Sequence, residues 1–367
     1  MKKNYFLLSL IVVLTFWAPA IKAQSGGCPV IITQPDELII TNITKKTYNG
    51  ADLSCSNAAD GQITVTASGG TTPYQYSKDN GLTFQPSNVF SGLGAGTYKI
   101  VVKDNHNCIT APQDIILNAP TPITIISAIK TTYNGSELSC SSSSDGEITV
   151  TATGGTGTLE YSKDNGATYQ SSNVFSGLSA GTYTIVVRDV NGCTSNPQNV
   201  TITAPTPVMV TGAVKTIYHG SDLSCSNATD GQITVTATGG TGTFEYSKDN
   251  GATYQSSNVF SGLSAGIYQI VVKDANGCTT APLQINITAP VALTMSIAKS
   301  DVTCFGDNNG WIKVTVSGGS GQYRFSKDGG SNFTLFQAGN EYTFENLVAG
   351  TYNIVAEDEN GCSAACP

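Results

Sequence analysis

Cysteines fall at a fixed interval along this 367-residue chain. Cys55, Cys140 and Cys225 stand 85 residues apart, and so do Cys108, Cys193 and Cys278. A fourth pair, Cys304 and Cys362, follows at 79 and 84 residues. Self-similarity at one period means that a single supersecondary unit has been copied, so the fold of one unit is the fold of the chain. The intervening text agrees. EYSKDNGATYQSSNVFSGLSAG begins at Glu160 and returns unchanged at Glu245, with QYSKDNGLTFQPSNVFSGLGAG at Gln75 and RFSKDGGSNFTLFQAGNEYTFENLVAG at Arg324. The repeats span residues 36–120, 121–205, 206–290 and 291–367, the last abbreviated. A segment at 24–35 and a leader at 1–23 precede them. CPVIITQP, before the first repeat, resembles a repeat tail such as CTSNPQNVTITAP, whereas GCSAACP stops before that tail.

The third repeat shows what one unit builds. GQITVTATGG alternates, with Ile233, Val235 and Ala237 on one side and Thr234, Thr236 and Thr238 on the other, the period of a half-buried strand. VMVTGAV, NVFSGL, GIYQIVVKD and LQINITAP read as further strands, and TFEYSKDNGATYQ as two short ones around a turn. About seven short strands separated by Gly, Asn, Asp or Pro, with no 3.6-residue period, predict an all-β chain: a tandem array of four immunoglobulin-like β-sandwich repeats. The run L-x-A-G-x-Y places Tyr98, Tyr183, Tyr268 and Tyr352 as tyrosine corners, where a packed ring sends its hydroxyl back to the preceding turn. Short linkers such as TAPTP limit bending, so the units are expected to line up as a semi-rigid rod.

Lys2 and Lys3, the apolar run Tyr5–Trp17 and the small residues of APAIKA form a secretory signal peptide, with cleavage expected after Ala23. No other apolar run reaches membrane-spanning length, so no membrane insertion is expected after cleavage. Removing three lysines and no acids takes the formal charge from −8 to −11. Nucleic acid is therefore excluded as a partner, because phosphate neutralisation needs basic residues. Charged residues make up 12%, against about 25% in ordinary domains, so the surface is built from Thr, Ser, Asn and Gly, as suits an extracellular β protein.

In a secreted chain two cysteines per repeat read as a disulfide framework. Spacing does not fix connectivity. Bonds within each repeat are favoured because every unit is then self-sufficient: Cys55–Cys108, Cys140–Cys193, Cys225–Cys278 and Cys304–Cys362. Cys28 and Cys366 are left over. A zinc site would need clustered ligands, and the sequence offers no C-x₂-C pair and only His106 and His219, in different repeats.

S-x-D-x-G-x-T-[FY] recurs with Asp79, Asp164, Asp249 and Asp328 at its centre, the last in the looser form SKDGGSNF. It resembles the Asp-box of sialidases and related propellers, itself a structural hairpin remote from catalytic residues. Glycoside hydrolysis needs two carboxylates held at a set separation. Glu160 and Asp164 lie around one hairpin with no further acid to converge on them, and two histidines in different repeats make no Ser-His-Asp set. The expectation is not an enzyme and no cofactor. Calcium between repeats, held by Asp145 or Asp230, is the alternative, although no distal Glu completes an EF-hand loop. The favoured reading is a structural turn: the Asp caps its own backbone and Asn165-Gly166 adopts positive φ.

Taken together, the order of motifs resembles the SprB-type repeat. In the third repeat it runs from Cys225 through Asp230, Gly239-Gly240, Tyr246, Asp249, Leu263, Gly266 and Tyr268 to Asp274 and Cys278, with Ile267 in place of the usual Thr. The resemblance implies a cell-surface protein of the kind made by gliding bacteria of the Bacteroidota type, where large adhesins move along the cell surface. On this reading the chain is a secreted or cell-surface adhesin or adhesin stalk, and its partner an extracellular surface, glycan or protein ligand. The rivals are a glycan-binding array, with Tyr169 and Tyr254 as stacking platforms, and the accessory region of a larger secreted enzyme.

Overall fold

The computed structural model describes residues 30–365. The expected signal peptide, Cys28 and Cys366 lie outside them. The described chain is all β, and among the described residues no helix is long and apolar enough to cross a membrane. It divides into two compact units. One comprises the described residues up to Lys45 with Gln62–Ser91 and Gly96–Ile116; the other comprises Lys46–Gly61, Gly92–Ala95 and the chain from Leu117 onward.

The first repeat has six strands: β1 (Ile39–Lys45), β2 (Gly61–Ser68), β3 (Gln75–Ser77), β4 (Val89–Leu93), β5 (Gly96–Lys103) and β6 (Gln113–Leu117). They form two three-stranded sheets, ordered β1-β2-β4 and β3-β5-β6. Ile63, Val65, Ile100 and Val102 are fully buried, as the alternation of their strands requires.

The second repeat repeats the plan with β7 (Thr124–Lys130), β8 (Gly146–Thr153), β9 (Glu160–Ser162), β10 (Val174–Leu178), β11 (Gly181–Arg188) and β12 (Gln198–Ile202). Its sheets are β10-β8-β7 and β12-β11-β9, all antiparallel. Ile148, Val150, Phe175 and Leu178 of the first sheet meet Ile185, Val187, Val200 and Ile202 of the second over one core. Each such side chain withdrawn from water is worth about 1.5–3 kcal/mol. The third repeat matches strand for strand: β13 (Met209–Lys215), β14 (Gly231–Thr238), β15 (Glu245–Ser247), β16 (Val259–Leu263), β17 (Gly266–Lys273) and β18 (Leu283–Ile287). Ile233, Val235, Ile270 and Val272 are fully buried there.

Six strands form per repeat rather than the expected seven. The stretch read as two short strands holds one strand and a single bridge, Tyr246 with Gln255. The Gly-Gly-Thr stretch after β14 is where the linker crosses. Gly239 has φ +81°, and a Cβ there would lie 1.9 Å from the Pro207 carbonyl oxygen, so only glycine fits.

The fourth repeat has β19 (Thr294–Ser300), β20 (Gly310–Ser317), β21 (Tyr323–Ser326), β22 (Glu341–Leu347), β23 (Val355–Asp358) and β24 (Ser363–Ala365). Its first sheet, β19-β20-β22, is regular. Its second, β21-β23-β24, is not: β24 pairs beside Val355–Glu357, and no described strand takes the place that β12 and β18 hold in their repeats.

Candidate functional site

The Asp-box turn is closed by its own residues. Asp164 Oδ1 accepts from the Ser162 hydroxyl at 2.7 Å and the Thr168 backbone N–H at 2.9 Å, and Oδ2 accepts from the Thr168 hydroxyl. Ser162 in turn accepts from the Gly166 N–H at 2.8 Å. Asn165 and Gly166 hold φ of 58° and 88°, values that suit these two residue types. Asp79 and Asp249 have the same partners, and at Asp328 the side chain of Asn332 replaces the Thr hydroxyl. These bonds, from Ser162 first and then Thr168 at Asp164, hold all four carboxyls at about 2. The acceptor capacity of the carboxylate is thus directed at local donors.

The tyrosine-corner residues hold equivalent positions on β11, β17 and in the fourth repeat. Tyr183 donates to the Ser179 carbonyl, Tyr268 to Ser264 and Tyr352 to Val348, each at 3.0 Å and each four residues back. Tyr98 stands at the matching place on β5. Asp145 and Asp230 cap their own loops by accepting from the backbone N–H of Ser139 and Ser224, at 3.2 Å each. No group of three metal-ligating side chains occurs among the described residues. Over the Tyr169 ring lies Arg188, at 3.9 Å, and over Tyr254 lies Lys273, at 4.2 Å.

The cysteines do not pair as expected. The bonds are Cys55–Cys193, Cys140–Cys278 and Cys225–Cys362, each joining the first cysteine of one repeat to the second cysteine of the next. Cys108 and Cys304 are free and exposed. The physical reason is the Asp-x-Asn-Gly-Cys loop after β11 and its counterparts. Buried Asp189 gathers the backbone N–H groups of Thr156, Asn191 and Cys193, at 2.9, 3.0 and 3.0 Å, and so fixes a loop that presents its cysteine outward. Asp274 and Asp358 do the same in their repeats.

At the joint between the second and third repeats, the Asn276 amide donates to the Ser139 carbonyl at 3.0 Å and to Thr241 Oγ1 at 2.6 Å, and Asn134 donates to Asn276 Oδ1 at 2.5 Å. Asn191 makes the corresponding bonds to Ser54, Thr156 and Asn49. In the third joint Asn360 reaches Ser224, while His219 takes the positive-φ position of Asn134 and lies 3.6 Å from Glu359. Reading the sequence missed these asparagines, although D-x-N-G-C stands in three repeats.

A clamp on the tail strand was also missed. Lys215 donates to the Asn286 carbonyl at 2.9 Å and to Asp222 at 2.8 Å, and Asp222 accepts from the Thr288 N–H at 2.7 Å. In the second repeat Lys130 and Glu137 hold Thr201 and Thr203 in the same way. Burial alone would raise the carboxyl of Glu137, but its bonds to Lys130 and Thr203 outweigh that and bring it to about 2.

Comparisons with known proteins complete this description. The SprB repeat matches residues 47–83, 132–168, 220–253 and 296–332, the half of each repeat that runs from the first-cysteine loop through the Asp-box turn. No curated protein matches. Among solved structures, the N-terminal eight Ig domains of Down Syndrome Cell Adhesion Molecule align over 89% of this chain and 48% of theirs, at 15% identity and a TM-score of 0.27. This chain thus spans about half the length of that neighbour. Domains 4–9 of the surface layer protein SbsC align over 90% of this chain and 65% of theirs, at 11% identity and a TM-score of 0.22. The fold assignment rests on this chain's own paired sheets, and four of its segments match the SprB repeat.

Proposed function

We propose that this chain is a non-enzymatic cell-surface or secreted repeat protein, an adhesin or adhesin stalk, linked to gliding movement as the SprB repeat suggests. The observation that carries this reading is the joint. Three consecutive repeats are each bonded covalently to the next, and the bonding residues recur in step with the repeat. A catalytic site needs one copy of its residues, whereas a structure that displays weak contacts gains from many. The Asp-box carboxylates are occupied by local donors, which leaves the motif a structural role. The rings of Tyr169 and Tyr254 each carry a cation, which disfavours sugar stacking there.

Beads coated with the mature chain test the proposal. Adhesion to glass, glycan or cell surfaces that rises steeply with coating density is the expected result. Hydrolysis of a glycoside by the purified chain, abolished by Asp164→Ala, would overturn it.

A further inference from the structure

Nine Asn-Gly steps punctuate the sequence, and their glycine N–H groups fall into two classes. Asparagine before glycine is open to one particular reaction, attack of the next backbone nitrogen on the side-chain carboxamide. Glycine permits it because no side chain shields that nitrogen. In the Asp-box turns the N–H groups of Gly81, Gly166 and Gly251 donate to the serine four residues back, each at 2.8 Å. In the Asp-x-Asn-Gly-Cys loops those of Gly192, Gly277 and Gly361 donate to the carbonyl of the loop's aspartate, each at 3.0 Å. Gly310 is buried at the start of β20. In this class the nitrogen is bonded or enclosed.

The other class has two members. Asn49-Gly50 and Asn134-Gly135 form the tips of two-residue turns closed by Tyr48 with Ala51 and Tyr133 with Ser136. The N–H groups of Gly50 and Gly135 have no partner among the described residues, and all four tip residues are exposed. A Cβ on either glycine would meet nothing within 4 Å. These same asparagines close the first two joints, where each donates at 2.5 Å to the Oδ1 of the asparagine on the facing loop, Asn191 or Asn276. The third joint has the same turn, closed by Tyr218 with Ser221, but His219 stands at its tip.

We propose that Asn49 and Asn134 are self-modification sites that loosen the first two joints with time and spare the third. The Gly135 nitrogen loses its proton to water and bonds to Asn134 Cγ. The Cγ–Nδ2 bond breaks, ammonia leaves with a proton from water, and a five-membered succinimide closes. Water then opens that ring at either carbonyl, leaving aspartate or isoaspartate. In sum a carboxamide and water become a carboxylic acid and ammonia, with no change of oxidation state. His219 carries no carboxamide and is exempt. The product at 134 loses the bond that closes the joint, because a carboxylate only accepts and the Asn276 Oδ1 facing it is also an acceptor. Turning the Asn276 amide over gives no remedy. Its nitrogen donates to the Ser139 and Tyr133 carbonyls at 3.0 and 3.4 Å, and its oxygen would then face both. Isoaspartate also adds a methylene to the main chain of a two-residue turn, which disturbs the pairing of Tyr133 with Ser136. Asn49 stands in the same relation to Asn191, whose nitrogen donates to the Ser54 carbonyl at 3.2 Å.

The mature chain with its disulfides intact, incubated in mildly alkaline buffer and mapped by peptide mass spectrometry, tests this. Aspartate and isoaspartate should accumulate at 49 and 134 roughly fivefold faster, or more, than at the steps whose glycine N–H must first give up a hydrogen bond. Asn134→His, which copies the third joint, should stop the conversion at 134 and leave it at 49. Asn134→Asp should make Cys140–Cys278 open to dithiothreitol roughly fivefold faster, with Cys225–Cys362 of the same molecule as the reference. Aged protein of unchanged sequence should move towards that rate. Conversion spread evenly over the Asn-Gly steps, retention of every amide, or an Asn134→Asp chain reduced at the unmodified rate would overturn the proposal.

Discussion

The third and fourth repeats share one pattern of residues, yet only the third closes its second sheet. Around Gly231, a Cβ would meet Leu223, the Leu263 carbonyl and, at 3.4 Å, Ile287 of the tail strand. Around Gly310 the nearest atoms are the Leu347 and Ser300 carbonyls and, at 3.4 Å, the side chain of Val302, which stands where Leu223 fills the core of the third repeat. The same glycine therefore sits under a packed strand in one repeat and at the floor of a groove in the other. The difference teaches that an SprB repeat in this chain is not closed by its first five strands. Its tail strand supplies core side chains to the sheet, carries the groups that the Lys–Asp clamp holds and leads into the repeat that provides the disulfide partner.

The comparison can be broken most sharply at the joints. Each disulfide closes a loop of 137 or 138 residues, worth about 5 kcal/mol on the chain-entropy estimate. Cys140→Ser should cost about that much stability, read as a lower urea midpoint, and reduction, which opens all three bonds, should lower the midpoint further, whereas Cys304→Ser should leave the isolated chain unchanged. Next comes the tail strand. Ile287→Ala removes a buried side chain and should cost about 2–5 kcal/mol, making the third repeat resemble the fourth in hydrogen exchange along Gly266–Ile270.

The clamp gives a smaller and more specific contrast. Asp222→Asn weakens bonds to Lys215 and to Thr288 and should cost about 1–3 kcal/mol. Asp301→Asn, in the exposed pair with Lys299, should change the melting of dilute, reduced protein by no more than a few tenths of a kcal/mol. The smallest effect belongs to the Asp-box turns, which the two repeats share. Their carboxyls titrate at about 2 when folded, below the ordinary 3.8, so their contribution is present above the ordinary value. It is lost as pH falls from about 4 towards 2. Asp249→Asn should flatten that part of the acid-unfolding curve for the third repeat, and Asp328→Asn should do so for the fourth.

Local features were legible in the sequence and relations between repeats were not. The alternation of Ile233 and Val235, the turn at Asp164 and the Tyr183 hydroxyl bond each involve residues a few positions apart, so spacing and residue type specify them. The disulfides show the opposite case. A bond from Cys140 to Cys193 and a bond from Cys140 to Cys278 recur with the same 85-residue period, so periodicity cannot separate them. What decides is the Asp274 loop, which aims Cys278 at the preceding repeat, and that direction is a property of packing. The Lys215–Asp222 clamp was hidden for a related reason: its partners are backbone groups of a strand about 70 residues away. The Asn276 amide, half-buried in the joint, gave only the weak signal of an Asn-Gly turn.

The staggered disulfides also reroute mechanical load. Pulled from its ends, the covalent backbone need not run through every repeat: it passes from Cys55 to Cys193, along to Cys225, and across to Cys362. Residues 56–192 and 226–361 lie off that path and bear no tension even when their sheets are lost. At about 3.5 Å per residue, the described chain could stretch to roughly 220 Å with its bonds intact, against roughly 1,200 Å after reduction. A tether so wired yields little length before it must break a covalent bond, and it holds most of its unfolded polypeptide in slack loops free to refold while the load remains.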